Sequence, residues 1–161
     1  MNYEIFKLRF QTGVHIGRGK LSDVGNIIMA DTLFSALCQE AVALYGEEGV
    51  QKLVRYVEQN EMLLTDTMPV HQNSYYIPKP MLRIEHGKSG DSSQKKEFKK
   101  LEYIRLESLH NYLNGNLNPV EERNSMEDFG KTEIRTMASV TEGADTKPFP
   151  VGVFRYGEEW G

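Results

Sequence analysis

The sequence has a single cysteine, Cys38, in 161 residues. An internal disulfide framework is therefore excluded, which fits a reducing compartment. There is no apolar run long enough to span a bilayer. The first residues, MNYEIFKLRF, have neither the apolar core nor the cleavage site of a signal peptide. Positive charge is not in excess either: 19 Lys and Arg face 23 Asp and Glu, a net charge of −4. Nucleic-acid binding by bulk charge is excluded, so any basic surface must be local. His15, His71, His86, His110 and Cys38 are scattered without metal-ligand spacing. No P-loop, HExxH or GxSxG signature is present. The residues imply no cofactor, no metal and no catalytic group, and the expectation is a cytoplasmic, non-enzymatic domain.

What is present is an ordinary globular balance of 39% hydrophobic and 26% charged residues, enough to bury a core. Residues 3–10 read as a strand. Phe6, Leu8 and Phe10 share one parity and face inward, while Ile5, Lys7 and Arg9 share the other. A loop over 11–26 follows, with Gly17, Arg18, Gly19 and Lys20 just after His15. Glycine permits close approach to a ligand, but Ser22 stands where a dinucleotide fingerprint needs its third glycine, and no helix opens there. Asp31 reads as the N-cap of a helix whose buried stripe is Phe34, Leu37, Cys38, Ala41 and Tyr45 and whose stop is Gly46. Thr32 and Ser35 lie in its first turn, where free amides suit a phosphate. A capping Asp31 would compete for those amides. A second helix fits 48–60.

Further on, Ile77-Pro78-Lys79-Pro80 presents Lys79 on a stiff extended segment, either beside a phosphate or simply in solvent. Residues 85–94 read as an insertion loop. Lys95, Lys96, Lys99 and Lys100 form the densest positive charge, a pattern usually found on solvated helix faces. Leu101–Leu106 reads as a short strand or helix edge, and Leu106, Leu109, His110 and Leu113 take helical spacing. Residues 114–131 read as a second exposed insertion with little regular structure. The stretch IRTMASV is extended. PVGVFRYGEEWG starts a hairpin whose return strand is missing, so the chain is expected to be cut short of a second domain, with residues 1–161 forming one domain.

Four stretches occur in order: KLRFQTGVHIGRGKL, ADTLFSALCQEA, YYIPKPMLRIE and KKLEYIRLESLHNYLNG. Together they resemble the N-terminal half of the RAMP-type subunit that caps the crRNA in type III-A CRISPR (Csm) effector complexes. The resemblance implies an α+β, ferredoxin-like, RRM-related fold. It implies binding of the repeat-derived 5′ tag of the crRNA, and contacts to the large polymerase/cyclase-like subunit and to an adjacent RAMP backbone subunit. It implies no target cleavage by this subunit and no membrane. The residues it assigns to RNA are His15, Gly17, Arg18, Gly19, Lys20, Thr32, Ser35, Lys79, Arg135 and Met137. Arg135 and Met137 would lie on a hairpin reaching over the guide. A metal-independent ribonuclease using His15 as general base and a protein-only scaffold remain as alternatives.

Overall fold

The structure is a computed structural model and describes residues 3–82, 92–139 and 146–161. It contains helices and small antiparallel sheets arranged in two compact units. One comprises residues 1–24 and 68–161, the other residues 25–67.

The second unit is built on α1 (Ala30–Glu58), which bends at Gly46, where φ is 67° and ψ −159°. Only glycine takes that conformation cheaply, so the residue ends one helical arm and begins the next. The first arm does not start as its sequence suggests. Met29 holds the N-cap position without a side-chain bond. The carboxylate of Asp66 accepts the Ala30 amide at 2.8 Å, while Asp31 accepts only the amide of its neighbour Thr32, at 2.6 Å. A cap supplied 36 residues downstream is invisible to local pattern. Thr67 reinforces it, its amide donating to Ile28 O at 2.9 Å and its hydroxyl oxygen accepting the Ile28 amide at 2.8 Å. The apolar stripe of α1 is not a buried one: no residue of the helix is buried, and Leu44 and Tyr45 are well exposed.

The larger unit holds the core. Strands β1 (Val70–His71), β2 (Ser74–Pro78) and β3 (Tyr103–Arg105) form one antiparallel sheet in that order. Strands β4 (Gly130–Ala138) and β5 (Pro148–Tyr156) form a long hairpin. Tyr76, Phe129, Phe154 and Trp160 make one buried cluster; Leu101, Ile104 and Tyr112 make the other. The aromatic cluster packs edge-to-face, with Phe129 and Trp160 centroids 5.0 Å apart at 63°. Burial beside it pushes the Tyr156 phenol up to about 12, with Tyr103 adding to the shift.

Three expectations are corrected here. Residues 3–10 form no strand, and Phe6 is 78% exposed rather than core. Only Phe10 of that parity packs, stacking on Tyr156 at 5.4 Å. Alternation gives a strand only where a neighbour supplies the ladder, and among the described residues this segment joins no sheet; it is held instead by contacts such as Lys7 Nζ donating to Gln72 O at 3.0 Å. Residues 114–131 are not an exposed insertion. They follow α3 (Leu109–Leu113) and contain α4 (Pro119–Asn124), capped by Asn118, and they bury Glu122 and Phe129. The final residues do find a partner: Val70 and Gly161 exchange backbone bonds of 2.8 and 2.9 Å, and Trp160 is buried against His71. Of the insertion expected at 85–94, residues 85–91 lie outside the described residues, and α2 (Ser92–Lys100) begins at Ser92. Much of the turn expected after β4, residues 140–145, also lies outside them.

Glu122 joins α4 to the β3 end. Its carboxylate, 2% exposed, pairs with Arg105 Nη2 at 2.8 Å and accepts the Arg105 amide at 2.8 Å and Ser108 Oγ at 2.6 Å. Burial opposes its charge, but the Arg105 and Ser108 bonds outweigh burial and hold its pKa below the usual carboxylate range. Glu122→Gln should therefore destabilise the chain by about 3 kcal/mol near neutrality, because Arg105 loses its buried counterion and keeps only the exposed Glu107 at 3.4 Å. The folded-state pKa is depressed, so this stability is present above the unfolded value and fades as pH falls through the folded one. Urea unfolding of both proteins should show the difference shrinking in acid.

Candidate nucleic-acid interface

The glycine loop is a tight turn built on the outer edge of β5. Val14 and Phe154 exchange two backbone bonds, of 2.9 and 2.8 Å. Gly17 bridges Val24 across the turn, Arg18 N donates to Asp23 O at 3.2 Å, and Asp23 N to Lys20 O at 3.0 Å. Gly19 has φ 103°, at the tip between Arg18 and Lys20, which are both exposed.

Gly152, in the middle of β5, anchors this turn with both backbone groups. Its amide donates to Leu21 O at 2.7 Å, and its carbonyl accepts from His15 Nδ1 at 2.7 Å. A carbonyl can only accept, so Nδ1 carries the proton and Nε2 is left for other bonds. The approach is close enough to require glycine: a Cβ at 152 would stand 2.4 Å from Ser22 O.

On the hairpin, Lys131, Glu133 and Arg135 share one face of β4, and Arg155 of β5 joins them. Glu133 pairs with Lys131 at 3.4 Å, Arg155 at 3.4 Å and Arg135 at 3.6 Å. Burial works against its charge, yet Lys131, Arg155 and Arg135 outweigh it and hold the carboxyl below its ordinary range. One carboxylate against three cations leaves the face net positive. Arg135 also reaches the loop segment, since a Cβ at Gly13 would lie 3.4 Å from its Nη2.

The structure thus brings His15, Gly17, Arg18, Gly19, Lys20 and Arg135 onto one layer formed by the loop, β5 and β4. Met137 lies two residues along the same face of β4, paired with Phe149 and 51% exposed. Lys79 is engaged elsewhere. Its ammonium donates to Phe98 O at 2.6 Å and lies 4.8 Å from the Phe98 ring centre, and partial burial lowers its pKa. Thr32 and Ser35 belong to the unit of residues 25–67, where they line an open depression on α1 with Asp31, Ala36 and Gln39. Gly152 and Glu133 were missed by the sequence reading. A glycine inside the strand pattern VGVF is the signal for a close backbone approach, and Lys131, Glu133 and Arg135 show the alternate-residue charges of one strand face. Among the described residues no group of three or more His, Cys, Asp or Glu side chains could hold a metal ion, and no helix is long and apolar enough to cross a membrane.

No protein-family model matches the chain. Individual proteins do. The CRISPR system Cms protein Csm4 of Mycobacterium tuberculosis is 31% identical over 157 residues, 97% of this chain and 50% of that protein. The chain is a relative of the Csm4 proteins. The Csm4 of Streptococcus thermophilus is 29% identical, over 91% of this chain and half of that protein. This chain therefore spans about half the length of the Csm4 relatives it matches. A chain in the crystal structure of the Csm3-Csm4 subcomplex of the type III-A CRISPR-Cas interference complex superposes with a TM-score of 0.54 at 16% identity, covering 94% of this chain and 53% of that one. At that identity the likeness speaks for the fold alone.

Gly152→Ala should push Ser22 away from β5 and release the turn. We expect a loss of about 1–3 kcal/mol, the usual cost of overpacking, and faster amide exchange at Val14 and Gly152. Unchanged exchange at both amides would show that the turn does not depend on this approach.

Proposed function

We propose that this chain is an RNA-binding part of a type III-A CRISPR complex, a Csm4-type subunit that holds the 5′ tag of the crRNA and caps that end of the assembly without cutting RNA. The observation that carries this reading is the Gly17–Lys20 turn, pinned to β5 at Gly152 and flanked by Arg135. A rigid turn with exposed cations at its tip and exposed backbone beside them suits a single-stranded phosphate backbone. The Csm4 relationship supplies the complex, and the structural neighbour, a chain of a Csm3-Csm4 subcomplex, supports an adjacent RAMP backbone subunit as partner. Contact with the large polymerase/cyclase-like subunit belongs to the same proposal.

Arg18→Glu with Lys20→Glu should weaken binding of a tag-sequence RNA by at least about tenfold at low salt and flatten its salt dependence. Glu133→Gln should act the other way, because it frees Lys131, Arg135 and Arg155 from their shared counterion. Anisotropy titrations with labelled RNA measure both. Full affinity in the Arg18/Lys20 double variant would remove the turn from the interface.

His15 favours one second reading. With Nδ1–H tied to Gly152 O, the remaining nitrogen has the tautomer a general base needs. A ribonuclease acting on the crRNA precursor would cleave repeat RNA and lose that cleavage in His15→Ala. Intact RNA after incubation with the wild-type chain would leave the non-catalytic reading standing.

A further inference from the structure

Helix α2 carries four lysines and one glutamate in the stretch SSQKKEFKK. Its inward side is fixed. Phe98 stacks on Tyr112 at 5.7 Å and 8°, and Lys79 ties the Phe98 carbonyl down at 2.6 Å. The one glutamate is consumed: Glu97 pairs with Lys100 at 3.0 Å and with Arg123 of α4. Those partners, with the Lys100 bond foremost, draw its pKa below the usual range. Lys95, Lys96 and Lys99 are exposed, and among the described residues their ammonium groups make no ion pair or hydrogen bond.

This arrangement is costly without a ligand. Lys95 and Lys99, like Lys96 and Lys100, stand one turn apart on the same face, and like charges at that spacing destabilise a helix by about 0.2–0.5 kcal/mol per pair. The helix C-terminus favours cations in the last turn, which accounts for Lys99 and Lys100 but not for Lys95 and Lys96. In a chain of net charge −4, so dense a positive face is also a local exception.

We propose that the Lys95, Lys96 and Lys99 face of α2 is a binding surface for the phosphate backbone of single-stranded RNA, on an element separate from the glycine turn. The inference rests on the reading that the chain binds RNA. Lysine, a compact charge on a flexible stem, contacts phosphates without reading base edges. This face therefore contributes affinity that is independent of sequence.

The test compares the wild-type chain, K95A/K96A/K99A, the charge-keeping K95R/K96R/K99R and R18E/K20E. Binding of fluorescein-labelled oligouridylate is titrated by anisotropy across a salt series. Single-stranded contacts contribute about 0.7 each to the slope of log affinity against log salt, so the alanine variant should lose roughly 2 from its slope. Its affinity should fall about tenfold or more at low salt, while the arginine variant keeps the wild-type slope. Exposed lysine-to-alanine changes raise helix propensity, and circular dichroism verifies the fold. An unchanged slope in K95A/K96A/K99A, with R18E/K20E weakened, overturns the lysine face and leaves the turn standing. The reverse pattern supports the lysine face and removes the turn. Binding of polyglutamate that is lost in the alanine variant, while its RNA slope is kept, assigns the face to an acidic protein and overturns the proposal. No RNA binding by the wild-type chain overturns both readings.

Discussion

The two backbone groups of Gly152 hold the candidate interface together. The amide takes Leu21 O and the carbonyl takes His15 Nδ1, so one residue of β5 fixes both ends of the glycine turn. The absence of a side chain there is what allows the Ser22 carbonyl to come so close. Without that approach, Arg18 and Lys20 would sit on a free loop, and the entropy of ordering it would be charged to each binding event. Pinned to β5, the turn is ordered beforehand and lies on the same layer as Arg135.

β5 in turn depends on the aromatic cluster. Phe154 lies two residues beyond Gly152 on the same strand and packs against Phe129, which packs on Trp160. Trp160 bridges and stacks on His71 and Gly161 exchanges backbone bonds with Val70, so the end of the described chain locks back onto the first sheet. Beside this core, the Glu122–Arg105–Ser108 network joins α4 to the end of β3 with a buried, fully partnered carboxylate. The core therefore supports the interface through β5.

Local patterns with strong periodicity or punctuation were legible. The break of α1 at Gly46, the Ile134–Ala138 part of the extended IRTMASV stretch and the PVGVF stretch all appear as elements. The resemblance to a type III-A CRISPR subunit agrees with the Csm4 relationship. Two of the failures share one cause, which is that a partner distant in sequence overrode a local signal. Asp31 was a good cap by sequence, but Asp66 reaches the amide. The polar stretch 114–131 looked like an insertion because its acids and asparagines are polar, yet Glu122 is buried by pairing with Arg105.

Sequence alone determined which residues carry charge and flexibility: the Gly17–Lys20 loop with His15, the lysines of α2, and the alternation of Lys131, Glu133 and Arg135. These are properties of residue type and short spacing, which survive without knowledge of the fold. Only the tertiary structure decided which cations are available. Lys79 is bound to Phe98 O and Arg123 to Glu97, whereas Arg135 is brought to the loop at Gly13 and Lys95, Lys96 and Lys99 face outward. The reason is physical: a charge is free or spent according to the groups within hydrogen-bond reach, and those groups come from elements whose separation along the chain no local pattern encodes.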